Sequence, residues 1–545
     1  MCWSGWVVAP ARAVMAWGTP VVVNSSSGEM REEGDYPRVA VNGAGAAVAV
    51  WEGFLGSNGL IVGGAVRQAS SSRWSYASLG ADHFDDALPR VAIDDAGNVI
   101  VVFANSSSLQ GGIKTQLASA NGQFGAPISL SAPGQGAGEP EIAMNGSGDA
   151  VVGWESQGAA VQVALRPRGA AFTAPVTVSA AGVAVSSPRV AINRRGDAIV
   201  VWEQNGIVMA SVGRHGSPFG APAVVSGSGA STMDPHVALD DAGDALVVWQ
   251  RGHPGRIQVA SAPAGGGFGT ASDLSPVAGN ASGPRLAMSA TGEAVIAWQL
   301  GARPRSSVQA AVGTAGRGFG APFALSGSGT DPEVASDPAG DSVVAWTDNS
   351  TKTAMIRAAV RSPSGTFGPS VAVAAAGDAE GEPQVAVGSG KDAILVWAAW
   401  DKSGHRTVYE SDYAPAPSIT RLTITPRTFV AASRGASVAR ASGALVQYTD
   451  TQSATTTFFV LSSAPGVSVA GRCVASRGRR HGRPCVRYVS IGSFVRHDHA
   501  GLNQFRFTGR VRGRRVPPGA YRLQALPRNL GRTGAPVSAL FRITR

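Results

Sequence analysis

Three cysteines, four lysines, 7% aromatic residues and 15% charged residues are little for a chain of 545. Each shortage excludes something. Low charge beside 44% hydrophobic residues excludes a disordered chain. The cysteines are too few for the repeated ligand pairs of zinc modules, and His481 adds only one further donor near them, so no metal is expected. No uninterrupted apolar run is long enough to span a bilayer, so no transmembrane segment is expected. Abundance points the other way: Gly 71 and Pro 33 interrupt long helices and suit short strands joined by tight turns. An all-β fold is expected.

The net charge of +10 is unevenly placed. From Ala414 onward there are 21 basic residues against two acids, Asp450 and Asp498, a local net of +19 that leaves −9 on the rest. A basic tail on an acidic body suits an anionic polymer of the cell envelope. Arginine enrichment of this kind is also what a GC-rich genome produces, and both explanations stand at this point. No motif for a specific nucleic acid accompanies the charge.

Cys473 and Cys485 flank the segment CVASRGRRHGRPC, which reads as a disulfide closing a basic hairpin and implies an extracellular location. Its arginines, Arg477, Arg479, Arg480 and Arg483, are candidates for anionic-polymer binding. Residues 1–16 resemble the end of a signal peptide, with Ala-x-Ala at Ala11 to Ala13 but no basic n-region. Ordinary sequence, or a start further upstream, fits them as well.

One pattern recurs eight times at a period of about 49 residues. Examples are PRVAINRRGDAIVVW from Pro188, PHVALDDAGDALVVW from Pro235 and PEVASDPAGDSVVAW from Pro332. Each unit opens on Pro37, Pro89, Pro140, Pro188, Pro235, Pro284, Pro332 or Pro383 and closes on Trp51, Phe103, Trp154, Trp202, Trp249, Trp298, Trp346 or Trp397. A third apolar segment follows, and then a fourth beginning Phe-Gly-x-Pro. Four strands per unit predict an eight-bladed β-propeller over 17–413, with seven blades and one docked unit as the alternative. The last unit lacks its fourth strand, and Trp17-Gly-Thr-Pro-Val-Val-Val supplies it, so the N-terminal strand should close the last blade. Asp94, Asp240 and Asp337 are read as turn caps, with glycines supplying positive φ. After a linker at 414–418 the period vanishes, and about seven β-runs over 419–545 predict an Ig-like β-sandwich.

The DxAGDAxVVW units resemble those of secreted bacterial propellers with BNR or sialidase-like repeats, and the PGAYRLQA hairpin resembles C-terminal Ig-like modules. The resemblance implies an exported protein, and a monomer is expected. The register of Asp-x-x-Gly-Asp to Trp differs from the sialidase Asp-box, and the diglycine of kelch repeats is absent.

A residue present in every repeat reads as structural, so sites are sought where repeats differ. Arg38, Arg90, Arg189 and Arg285 follow the opening prolines, and His236 replaces the arginine in the fifth unit. The arginines are expected to pair with Glu52, Glu155 and Glu203, which follow the closing tryptophans, or else to line a mouth that captures a carboxylate or sulfate. Trp400, beside Asp401, Lys402 and His405, could stack on a sugar. The loop Asp82 to Asp86 reads as solvated, with a metal as the lesser reading. No catalytic motif occurs, and no catalytic residue or cofactor is assigned. The expected function is therefore an exported, non-catalytic binding or scaffold protein, recognising a carbohydrate or protein on its propeller face. A sialidase-like glycoside hydrolase or lyase is the alternative.

Overall fold

The computed structural model describes residues 15–545, except 25–32, 55–59, 70, 72, 80–87, 106–110, 120–121, 133–135, 157–158, 181, 228–230, 277–278, 303–305, 352, 364, 375–381, 389–391, 402, 440–441, 452–453, 470–471, 476–482, 500 and 530–531. Every regular element among them is a strand or a tight turn, and the chain divides into two compact units. Thr19–Tyr413 form one; Ala414–Arg545, with Met1–Gly18, form the other. The expected signal-peptide segment lies almost wholly outside the described residues.

In the larger unit each repeat folds into one antiparallel sheet whose strands follow chain order. The fourth repeat is representative, with strands Val185–Ile192, Ala198–Gln204, Ile207–Gly213 and Ala223–Val224. Between the first two, Asn193 Oδ1 accepts from the backbone N–H of Arg195 and Asp197 at 3.0 Å, and Gly196 takes φ 82°. Asp94, Asp240 and Asp337 cap the equivalent turns in the same way. The turns are also tied to one another: Asn193 Nδ2 donates to Asp240 O of the next repeat at 3.0 Å, and Asn145 Nδ2 does the same to Asn193 O.

Second strands are apolar throughout because neighbours cover both their faces. Ile199 and Val201 pack with Ala245, Val247 and Trp249 of the following repeat, while Val200 and Trp202 pack with Val161 and Val163 of the preceding one. Trp51 does the equivalent where the first repeat meets the last, lying with Ile394, Val396 and Val408 of the last repeat. Glu33–Val41 of the first sheet accordingly meets Gln384–Val387 and Ala393–Trp400 of the last. Val21 and Val22 pair with Glu410 and Tyr409, and Val408 N–H donates to Asn24 Oδ1 at 2.9 Å, so an N-terminal strand fills the fourth position of the last sheet. One cavity of about 350 Å³, at the turn end, is lined by residues from all eight repeats.

The smaller unit holds a four-stranded and a seven-stranded sheet that share one core, including Val446, Tyr448, Phe458, Phe505, Phe507, Leu523 and Phe541. Ala444–Asp450, which no sequence signal singled out, is an interior strand of the first. The last strand of the repeat region, Arg406–Pro415, runs into the segment expected as a linker. Cys473 and Cys485 are disulfide-bonded with Cα atoms 6.0 Å apart. The fold is all-β and multi-sheet among the described residues.

Candidate functional site

The opening proline of each repeat sits at a break in the ladder. Six repeats shift register there, as between Ser186 and Arg189, because proline offers no N–H to the neighbouring strand. The residue before each proline has positive φ: Tyr36, Leu88, Glu139, Ser187, Asp234, Gly283, Asp331 and Glu382. Seven of the eight are not glycine, so a conformation that L-residues resist, above all before proline, is held at every repeat.

The residues after the prolines are Arg38, Arg90, Glu141, Arg189, His236, Arg285, Glu333 and Gln384, one per sheet. Their mutual electrostatic influence reaches across the ring: Arg38 of the first repeat feels Glu141 of the third and Glu333 of the seventh. Arg90 Nε donates to Glu141 Oε1 at 2.9 Å, and Arg189 Nη1 lies 3.4 Å from the same oxygen. Arg285 Nε donates to Glu333 Oε1 at 2.7 Å. Burial alone would push the Glu141 carboxyl up, but Arg90 and Arg189 outweigh it and hold the carboxyl below its ordinary value. Burial would lower the Arg285 pKa, and Glu333 reverses that.

Two members stand apart. Arg38 donates to its neighbour's carbonyl, Pro37 O, at 3.3 Å, and no carboxylate among the described residues lies within ion-pair distance of it. Burial, and then Arg90 beside it, lower its pKa to about 10. His236 lies between Arg189 and Arg285; burial first, then these two cations, push its pKa well below the ordinary imidazole value, so it is neutral near pH 7. Its Nε2 is shut off from solvent and has no hydrogen-bond partner among the described residues.

The arginines do not pair with Glu52, Glu155 and Glu203, as the sequence reading expected. Within its own sheet Arg189 lies opposite Val201 while Glu203 lies opposite Ser186, and the arginines are drawn instead to carboxylates of neighbouring repeats. Glu52 instead accepts from Leu88 N–H at 2.7 Å, and the carboxyls of Glu155 and Glu203 are raised by burial and, secondarily, by Glu139 and Asp234 respectively. The true partners, Glu141 and Glu333, occupy the arginines' own position in other repeats. Aligning the residue after each opening proline would have found them.

Of the other candidates, Trp400 is 37% exposed with Arg406 over its ring at 5.6 Å, and Arg406 pairs with Asp35 of the first repeat. Asp401 caps its own turn by accepting from Ser403 and His405 N–H. The structure does not bring Trp400 into the ring; the repeat pattern places it at the outer end of a second strand. Arg483 is exposed, while Arg477, Arg479, Arg480 and the loop Asp82 to Asp86 lie outside the described residues. Among the described residues no three acidic, histidine or cysteine side chains converge to hold a metal ion, and no helix is long and apolar enough to cross a membrane.

No protein-family model matches the chain, and no curated protein does. Solved structures resemble it remotely. The BP39L lectin from Burkholderia pseudomallei is 14% identical, over 63% of this chain and 100% of the lectin, at a TM-score of 0.44. A fungal alcohol oxidase in complex with copper is 13% identical over 84% and 97%, at 0.39. An ulvan lyase of a polysaccharide lyase family is 11% identical over 60% and 93%, at 0.41. At these identities and TM-scores any functional assignment rests on the chain's own residues.

Proposed function

We propose that Thr19–Tyr413 form one closed eight-bladed propeller that binds a carbohydrate by its acidic group, seated on the ring of residues after the opening prolines. Arg38 carries the reading: it is a half-buried guanidinium on which Arg90 acts, and no carboxylate among the described residues lies within ion-pair distance of it. An incoming carboxylate or sulfate would supply the missing charge, and Arg90 is placed to share it. We further infer that 419–545 is an Ig-like sandwich associating with anionic envelope polymer, and that the protein is exported, in keeping with its disulfide. An acidic-glycan array probed with the full chain tests the ring. Arg38→Gln is expected to lower affinity for the best ligand at least about tenfold, since charge-assisted bonds exceed neutral ones by roughly 1–2 kcal/mol. Unchanged binding would remove Arg38 from the site.

His236 favours a second, catalytic reading. A neutral imidazole between two guanidiniums, its Nε2 without a hydrogen-bond partner among the described residues, could take the proton next to a uronate carboxylate that those cations stabilise, once a ligand reaches it. The bond to the leaving sugar oxygen then breaks, the imidazolium returns the proton to that oxygen, and the product is an unsaturated uronate. Hydrolysis fits less well, because both ring glutamates are engaged by arginines. Ultraviolet absorbance of the unsaturated product decides: its growth with wild type and absence with His236→Gln, at unchanged binding, would make the protein a lyase.

A further inference from the structure

The ring of arginines has a second tier of charge directly before it in the chain. Glu139, Asp234, Asp331 and Glu382 occupy positions just ahead of the opening prolines, two residues from the ring members and at the same end of the strands. Glu139, Asp234 and Glu382 are exposed. The tiers influence each other: Asp234 and Glu382 both act on Arg285, and Glu382 acts on Arg38 and on Tyr36, which is 46% exposed.

Counting both tiers changes what the mouth can accept. The four arginines face two glutamates within the ring and four more carboxylates ahead of it, and His236 is neutral. The two tiers together are therefore net negative. A purely anionic ligand would meet a belt of like charge on its way to Arg38, and at physiological salt such repulsion acts over roughly 8–10 Å. Behind that belt lie Arg38, which has no carboxylate within ion-pair distance among the described residues, and His236, whose enclosed Nε2 has no hydrogen-bond partner among them. A ligand that satisfies both tiers carries an anion for the inner one and a cation for the outer one.

We propose, resting on the acidic-glycan reading above, that the ligand is zwitterionic: a glycan whose acidic residue adjoins a sugar bearing an unsubstituted amine. The carboxylate sits at Arg38 and Arg90, and the ammonium sits at Glu382 with Asp234 in reserve across the mouth. Glu382 suits the role because its repeat neighbours that of Arg38.

The test compares two polymers that differ only at the amine, heparosan and its N-deacetylated form, binding to the full chain in low salt. The amine form is expected to bind at least about tenfold tighter, about 1.4 kcal/mol. Glu382→Gln combined with Asp234→Asn should erase that preference while leaving or improving binding of the N-acetylated form, because a repulsive belt has been neutralised. Arg38→Gln should weaken both. Equal affinity of wild type for the two polymers would overturn the zwitterion and leave the acidic-glycan reading standing. Binding of neither would overturn both. The wild-type comparison decides by itself, so a variant that fails to fold does not cost the test its answer.

Discussion

His236 shows how far one residue's neighbours set its chemistry. An exposed imidazole would titrate near neutrality, but burial between Arg189 and Arg285 disfavours its cation. Because its folded pKa lies below the unfolded one, the folded state binds fewer protons as pH falls from neutrality. The stability it contributes is complete above the unfolded value and is lost progressively below it, down through the depressed folded value. Wild type should therefore lose more melting temperature between about pH 7.5 and about pH 5 than His236→Gln does, given an ordinary imidazole pKa of about 6.5. Equal losses would mean that His236 is not the group that charges. Nothing in the sequence announces this behaviour. The sequence distinguishes the position only as a break in the arginine series, and the direction of the pKa follows from which repeats flank it.

At the scale of the element, the residue before each opening proline carries a cost that its local sequence does not demand. Ser187 at φ 52° and Leu88 at φ 37° sit where glycine would be relaxed, and only Gly283, at φ 58°, is so. A Cβ at Gly283 would meet nothing within 4 Å, so Gly283→Ala isolates the backbone term. It should destabilise by about 1–2 kcal/mol, the cost of placing an L-residue in the left-handed region. Ser187→Gly should be neutral or mildly stabilising, as read from denaturant midpoints. No change in the first, or a large loss in the second, would show that the bulge is not strained as described. The N-terminal strand is another element-scale case. Val21 to Asn24 cover an edge of the last sheet, and Val23 is buried at 3% exposure. Removal of residues 1–24 is expected to expose Tyr409 and Glu410 as an unpaired edge and to lower the melting temperature or promote aggregation. Retention of the full-length melting temperature and solubility would argue against that strand as the closure.

For the whole molecule, charge and periodicity carry different amounts of information. In the smaller unit both carboxylates are buried, Asp450 at 1% and Asp498 at 7% exposure, and Asp498 accepts a hydrogen bond from Tyr448. Its exposed side-chain charge is consequently arginine, so retention of the full chain on heparin should fall steeply with salt as counterions are no longer released to advantage. Replacing Arg477, Arg479, Arg480 and Arg483 with Ser should reduce that slope with little change in melting temperature; an unchanged slope would place the contact elsewhere on the unit. The eight prolines, the Asx-Gly turns and the closing aromatics made the repeat and its strands legible, because turn chemistry and continuous apolar runs act within a few residues. The missing fourth strand of the last unit was legible for the same reason. Ala444–Asp450 escaped notice because a seven-residue alternation without flanking turn signals is weak evidence by itself. The sequence by itself thus determined the period, the turns, the disulfide pair and the position that would carry the ring. Only the tertiary structure decided that Arg90 and Arg189 share Glu141, that Arg285 takes Glu333, and that Arg38 and His236 are left over. Those pairings join residues 48 to 51 positions apart, on neighbouring repeats, and no local pattern encodes which of these side chains meet.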